Sequence, residues 1–276
     1  MNSPDAPVPA AEGPTLNTRE ARSASSGSYS PTTPSELAAE FFFILTVPVA
    51  VALWGQKSEW MAVFTLINLT IRFLLAYKPK DEWFFLLGLA AGGGNDLFSM
   101  IRGVYAYTPP HLLPWPIPLW IFPFWGQVFL LFRRALDYGP FRGPGVGKVL
   151  QWDSRLAADL VILAIFKFFV YGYASHLYLP SLVGVLLLGA RFAVLRPTPT
   201  EWRVLAITMT VGPAYEIILV KLGLYNYQHG YFFGLPVWLL VFWALSLLIS
   251  KNLYDRMERA FGRPIPGLLP PPSPAP

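Results

Sequence analysis

A chain of 276 residues that is 54% apolar, 16% aromatic and only 13% charged lies far below the ~25% charged residues of a soluble domain, which excludes an ordinary water-soluble globule. Its formal net charge of +5 is distributed in a way that points to membrane orientation and away from nucleic acid. There is no cysteine, so disulfides, thiolate catalysis and Cys-ligated metals are excluded.

Residues 1–34 are rich in Ser, Pro, Ala and Thr and hold no apolar run. They read as a disordered cytoplasmic tail without the apolar stretch of a secretory signal. Eight apolar stretches follow, at roughly 37–55, 60–77, 83–102, 117–132, 156–173, 177–195, 203–222 and 235–250. Most approach the ~20 residues that cross ~30 Å of hydrocarbon as a helix. The fourth and eighth are short and are entered through proline (Pro116, Pro118; Pro236), which a first helical turn tolerates. Residues 264–276 are Pro-rich and read as a second disordered tail.

Lys and Arg set the direction. The N-terminal tail, the connections after the second, fourth and sixth stretches, and the C-terminal tail, taken with the stretch ends that border them, hold 17 of the 21. The other connections hold Lys57, Arg102 and Lys221, and Lys167 lies within a stretch. The positive-inside rule then places both termini in the cytoplasm of a multi-pass cell-membrane protein.

A shift of 118–120 residues brings the two halves into register. Ser35-Glu36-Leu37-Ala38-Ala39-Glu40 matches Ser154-Arg155-Leu156-Ala157-Ala158-Asp159, and Arg72-Phe73 with Glu82-Trp83 matches Arg191-Phe192 with Glu201-Trp202. Asp96 followed by Gly103-Val104-Tyr105-Ala106-Tyr107 matches Glu216 followed by Gly223-Leu224-Tyr225-Asn226-Tyr227. Pro118-Leu119-Trp120 with Trp125 matches Pro236-Val237-Trp238 with Trp243. The expected fold is therefore an all-α integral membrane protein of eight transmembrane helices, built as two tandem, parallel four-helix repeats at 35–153 and 154–263. An even number of spans per repeat makes the two parallel, with a shared site at their interface.

Asp96 and Glu216 are the leading functional residues. Each lies ~20 Å along its helix from Trp83 or Trp202 at 1.5 Å per residue, at matching depth in the outer half of the bilayer. An intramembrane carboxylate is costly and faces the bundle interior or a wet cavity. Gly88, Gly92 and Asp96, like Thr208, Gly212 and Glu216, fall on one face at four-residue spacing, where small residues admit a close neighbour. The alternative to a functional role is a pair of structural carboxylates bonded to nearby donors. Lys167, ~18 Å into its stretch, has Pro48 as its counterpart and is expected to pair with one of the acids, or else to snorkel outward.

The end-of-span set Glu40, Arg72 and Glu82, with Asp159, Arg191 and Glu201, reads as structural ion pairing. His111, His176 and His229 lack HxxxH or HExxH spacing, and no metal is expected. The aromatic residues Tyr105, Tyr107, Trp120, Trp125, Tyr225, Tyr227, Trp238 and Trp243 fit either an interfacial belt or the wall of a cavity that binds substrate and stabilises a cation.

An acid, six residues, Gly-x-aromatic-x-aromatic, a short loop and a proline-led helix resemble an arrangement of membrane-embedded carotenoid-modifying proteins: the lycopene cyclase domain and the hydratases of the bisanhydrobacterioruberin type. The resemblance covers Asp96–Trp125 and Glu216–Trp243. The cyclase domain's Pro-x-Glu-Glu is replaced here by Pro118-Leu119-Trp120 and Pro236-Val237-Trp238, and the hydratases' Thr-Gly-x-Pro-Phe-Gly is absent. The resemblance implies isoprenoid or lipid chemistry.

The leading expectation is a membrane enzyme that protonates a lipid-soluble, isoprenoid-like substrate for cyclisation, hydration or isomerisation. One of Asp96 and Glu216 would be the general acid and the other the counter-charge, with no cofactor. A proton-coupled transporter or flippase and a non-catalytic membrane scaffold are the alternatives. The expected partner is a membrane lipid or a lipid-soluble small molecule.

Overall fold

A computed structural model describes residues 31–55, 57–108, 116–142, 149–176 and 178–260. Among these, eight α-helices account for almost all regular structure. They are α1 Pro34–Trp54, α2 Ser58–Ala76, α3 Asp81–Ile101, α4 Ile121–Asp137, α5 Val149–Gly172, α6 Leu179–Val194, α7 Pro199–Lys221 and α8 Val237–Ala260. One helix coincides with each apolar stretch. Most of the two expected tails lies outside the described residues.

Local chemistry sets the helix ends. Thr33 and Glu36 form a capping box at the start of α1, with Pro34 at the first helical position; Thr198, Glu201 and Pro199 repeat the device on α7. Each box satisfies backbone N–H groups that the first turn leaves open. At the far ends, α3 and α7 both stop at a glycine with positive φ, Gly103 at 69° and Gly223 at 75°. The amide of the next residue then bonds back five residues, Val104 to Ser99 and Leu224 to Leu219. That left-handed glycine stop turns each chain into a three-residue strand, β1 Tyr105–Tyr107 and β2 Tyr225–Tyr227. The two strands pair antiparallel, Tyr105 opposite Tyr227, Ala106 opposite Asn226 and Tyr107 opposite Tyr225. This ribbon is not among the elements expected from the sequence.

Helix α4 packs against α1, α2 and α3, and α8 packs against α5, α6 and α7. These two helices carry much of the buried apolar surface, including Ile121, Val128, Leu130 and Leu131 on α4 and Leu239, Ala244, Leu245 and Leu248 on α8. They touch each other, and α1 touches α7. Around them the outer faces are apolar, with Leu74 and Val194 79% and 80% exposed. Five helices (α1, α2, α3, α7 and α8) are long and apolar enough to cross a membrane, and an apolar outer surface on this scale suits lipid.

At the end of the bundle away from the ribbon, charges are buried in pairs. Arg72 binds Glu40 and also lies 2.8 Å from Asp81. Asp81 takes Arg133 at 2.5 Å and Arg134 at 2.6 Å as well. In the second cluster Arg191 binds Asp159 at 2.9 Å and Glu201 at 3.0 Å, and Asn252 adds a bond to Asp159. The expected ion pairing is present with one change: Asp81, not Glu82, meets Arg72, and Glu82 accepts from the Tyr77 hydroxyl at 3.1 Å. The expected eighth span at 235–250 also runs on to Ala260. Its last turns carry a Lys251–Asp255 pair, and that pairing offsets the cost of burying the two charges beyond the apolar run.

Candidate functional site

The π-turn at Leu89–Gly93 within α3 immediately precedes Asn95 and Asp96. Gly92 and Gly93 there take the rings of Trp125 and Phe122 against bare backbone. On α7, Gly212 receives the ring of Trp243 in the same manner. The two central helices α4 and α8 are thereby seated with their tryptophans directly beside the acid-bearing helices.

The result is one cavity of about 150 Å³ between α1, α3, α4, α5, α7 and α8. Space on this measure needs only ~10–15 Å³ per water, so it admits several waters or a segment of hydrocarbon. Asp96, Glu216, Lys167, Tyr105, Tyr107, Trp120, Trp125, Tyr225, Tyr227, Trp238 and Trp243 all line it. A belt arrangement would have spread these aromatics over the outer surface, whereas Trp120, Trp238 and Trp243 are buried.

The two carboxylates have unequal surroundings. Asp96 accepts from the Tyr107 hydroxyl at 2.9 Å, from Trp125 Nε1 at 2.8 Å and from Asn95 Nδ2 at 3.5 Å. Glu216 accepts from the Tyr225 hydroxyl. The Trp243 indole N–H and the Tyr227 hydroxyl also bear on Glu216, and the Tyr105 hydroxyl bears on Asp96. The ribbon sets the four tyrosines edge to face between the acids, with Tyr107 and Tyr225 ring centres 5.4 Å apart and those of Tyr105 and Tyr227 5.2 Å apart. Burial first, and then the neighbouring carboxylates, hold all four phenols well above the usual tyrosine range. They therefore remain neutral donors.

Lys167 does not make the expected ion pair: neither acid lies within 4.0 Å of its ammonium. Its Nζ sits 3.8 Å from the centre of the Phe242 ring and 5.1 Å from that of Tyr171. Ring faces attract a cation through their quadrupole, and here they hold the lysine at the cavity wall instead of against a carboxylate.

Several wall residues escaped the sequence reading. Asn95, Ser99, Phe124, Tyr215 and Phe242 line the cavity. Tyr215 stacks on Phe124, centres 6.1 Å apart and planes 11° from parallel. Its position beside Glu216 was the one available signal. Of the three histidines, His229 Nε2 lies 2.9 Å from the Ser175 carbonyl, and His111 lies outside the described residues.

No family model matches the chain, and no curated protein matches it. Among solved structures, the crystal structure of a cross-linked MvINS trimer aligns with 66% of this chain and 96% of its own, at 19% identity and a TM-score of 0.49.

Proposed function

We propose that the chain is a multi-pass membrane enzyme that protonates a lipid-soluble, isoprenoid-like substrate, with Glu216 as proton donor and Asp96 as its anionic partner. The observation that carries this reading is the pair of unequal carboxylates facing one aromatic-walled cavity. Three donors converge on Asp96, and hydrogen bonds to a carboxylate favour its charged form. Trp243, Tyr225 and Tyr227 stand against Glu216 as Trp125, Tyr107 and Tyr105 stand against Asp96; the Asn95 amide is a donor that Asp96 has beyond these, and Glu216 is accordingly assigned the proton to give.

The chemistry balances without a cofactor. Glu216 gives its proton to a double bond or an epoxide oxygen, and a carbocation forms. The faces of Trp125, Trp243 and Phe124 lie where they can stabilise that cation. Loss of a proton to Asp96 closes an isomerisation or cyclisation, and capture of water followed by proton loss closes a hydration. The resemblance to carotenoid-modifying proteins around Asp96–Trp125 and Glu216–Trp243 points to the same class of substrate.

The reading includes eight membrane spans in two tandem four-helix repeats, 35–153 and 154–263, with both termini cytoplasmic. Four features support it. The ribbon pairs Ala106 with Asn226, residues 120 apart, so a two-fold axis through that pair exchanges the strands. Trp125 stacks on Trp243, its counterpart in the other half. Helices α1–α4 pack mainly among themselves, as do α5–α8. The excess of Lys and Arg on alternate connections sets the direction.

The test is a mass-spectrometric comparison of lipid extracts from cells supplied with carotenoid and polyprenyl precursors. These cells would express the intact protein, Glu216→Gln or Asp96→Asn at matched levels. A new or depleted isoprenoid that requires both carboxylates is expected. Identical profiles with folded protein would sink the enzyme reading for these substrates and favour proton-linked transport.

A further inference from the structure

The cavity walls are buried or half-buried almost throughout, with three exceptions. Leu45 on α1 and Ile207 and Val211 on α7 line the cavity while 55%, 44% and 43% exposed. These three side chains are all that separates the cavity from the outer surface at the α1–α7 gap they line. Across the bundle, the facing gap between α3 and α5 is bridged by side chains. Tyr171 donates to Asn95 Oδ1 at 2.9 Å and meets Phe98 edge to face at 4.8 Å, and Lys167 fills the wall one turn away.

The polar tie across the α1–α7 gap comes from a proline. Pro48 has no N–H, so the Ile44 carbonyl four residues earlier loses its helical donor. The Tyr215 hydroxyl of α7 donates to that carbonyl at 3.2 Å. The long, single bond is broken at little cost, because a neutral hydrogen bond is worth net only ~0.5–1.5 kcal/mol.

We propose that the α1–α7 gap is the lateral portal through which a hydrocarbon chain dissolved in the bilayer enters the cavity, with Tyr215 as its latch. The surface outside the gap is apolar, the gap is lined by Leu45, Ile207 and Val211, and Glu216 lies one turn beyond Gly212 on the same helix. A chain sliding in from lipid meets apolar walls first and the carboxylate last. The inference rests on the cavity being the substrate site, and it adds the route and the hydrocarbon nature of the ligand.

The chain's lack of cysteine permits a direct test in the full-length protein in vesicles. The probe is a fatty acid with a mid-chain diazirine, and the readout is photolabelling of peptides containing Tyr215, Trp125 or Trp243. In Leu45→Cys/Val211→Cys, a bifunctional methanethiosulfonate linker across the portal should slow labelling by about tenfold, a barrier raised by about 1.4 kcal/mol. Reductant should restore it. The same linker in Trp54→Cys/Phe64→Cys, a contacting pair on α1 and α2 outside the cavity lining, should leave labelling unchanged. Tyr215→Phe, which removes the latch while keeping the ring, should speed it. Labelling that ignores the portal linker, or that the α1–α2 linker slows equally, overturns the proposal. The readout needs no turnover: portal-gated labelling without an acid-dependent product would sink the enzyme reading alone, and a product with ungated labelling would sink the portal alone.

Discussion

The indoles of Trp125 and Trp243 stack 6.5 Å apart with planes 30° from parallel, and each stands against the acid of its own half. Trp125 Nε1 donates to Asp96 at 2.8 Å, and the Trp243 indole bears on Glu216. The stacked pair thus joins the two carboxylate sites across α4 and α8.

It follows that the Trp125 N–H contributes beyond its ring. Trp125→Phe removes a hydrogen bond to a buried carboxylate and should cost about 1.5–3 kcal/mol more in the intact protein than in an Asp96→Ala background. Thermal unfolding of these variants in the same micelles measures the difference. Equal losses would mean that the Trp125–Asp96 bond contributes nothing beyond ring packing.

Gly92 has no room for a methyl group. A β-carbon there would overlap the Trp125 ring, whereas one at Gly212 would stand 3.0 Å from the Trp243 ring. Gly92→Ala should therefore destabilise by about 1–3 kcal/mol through overpacking, and Gly212→Ala by less. If Gly92→Ala also displaces Trp125 from Asp96, the product profile should fall with it. Unchanged unfolding of Gly92→Ala would show that α3 and α4 do not approach this closely.

Asp81 stands between three arginines, Arg72, Arg133 and Arg134. Asp81→Ala leaves that positive charge buried and short of its anion, which costs about 3–5 kcal/mol in comparable cases. Glu82→Ala loses a tyrosine hydroxyl contact and should cost well under 1 kcal/mol. Expression level and melting temperature of the two alanine variants, side by side, separate the adjacent acids. Similar losses would contradict the ion-pair assignment.

Asp137 lies beyond the predicted 117–132 span and is buried. It accepts from the Thr32 amide and hydroxyl at 3.0 Å and from Tyr254 at 3.2 Å. Burial pushes its carboxyl up to about 6, against the lowering effect of those donors, and Glu258 adds to the rise. The folded state therefore binds this proton more tightly than the unfolded chain. Stability from this group is greatest below the unfolded value near ~4 and is lost as pH rises from there through about 6, by on the order of 2 kcal/mol. Asp137→Asn should flatten that part of the melting-temperature profile, and a slope unchanged in the variant would assign it to another group.

Much was legible in the chain itself. Apolar runs near twenty residues locate helices because backbone groups in hydrocarbon must bond within their own segment. The residues singled out from spacing, Asp96, Glu216, Lys167 and the eight aromatics, line one cavity. What only the tertiary structure decided were the contacts that depend on helix rotation and on neighbours distant in sequence. Spacing along a helix cannot say that Lys167 faces ring π-clouds instead of a carboxylate. Nor can it say that Asp81 displaces Glu82 in the arginine cluster, a choice between adjacent positions about 100° apart around one helix. The strand ribbon escaped as well, because three residues carry too short an alternation to be read without the partner strand that satisfies their backbone. The portal has the same origin: Pro48 frees a carbonyl by its own chemistry, but only the approach of α7 put the Tyr215 hydroxyl on it.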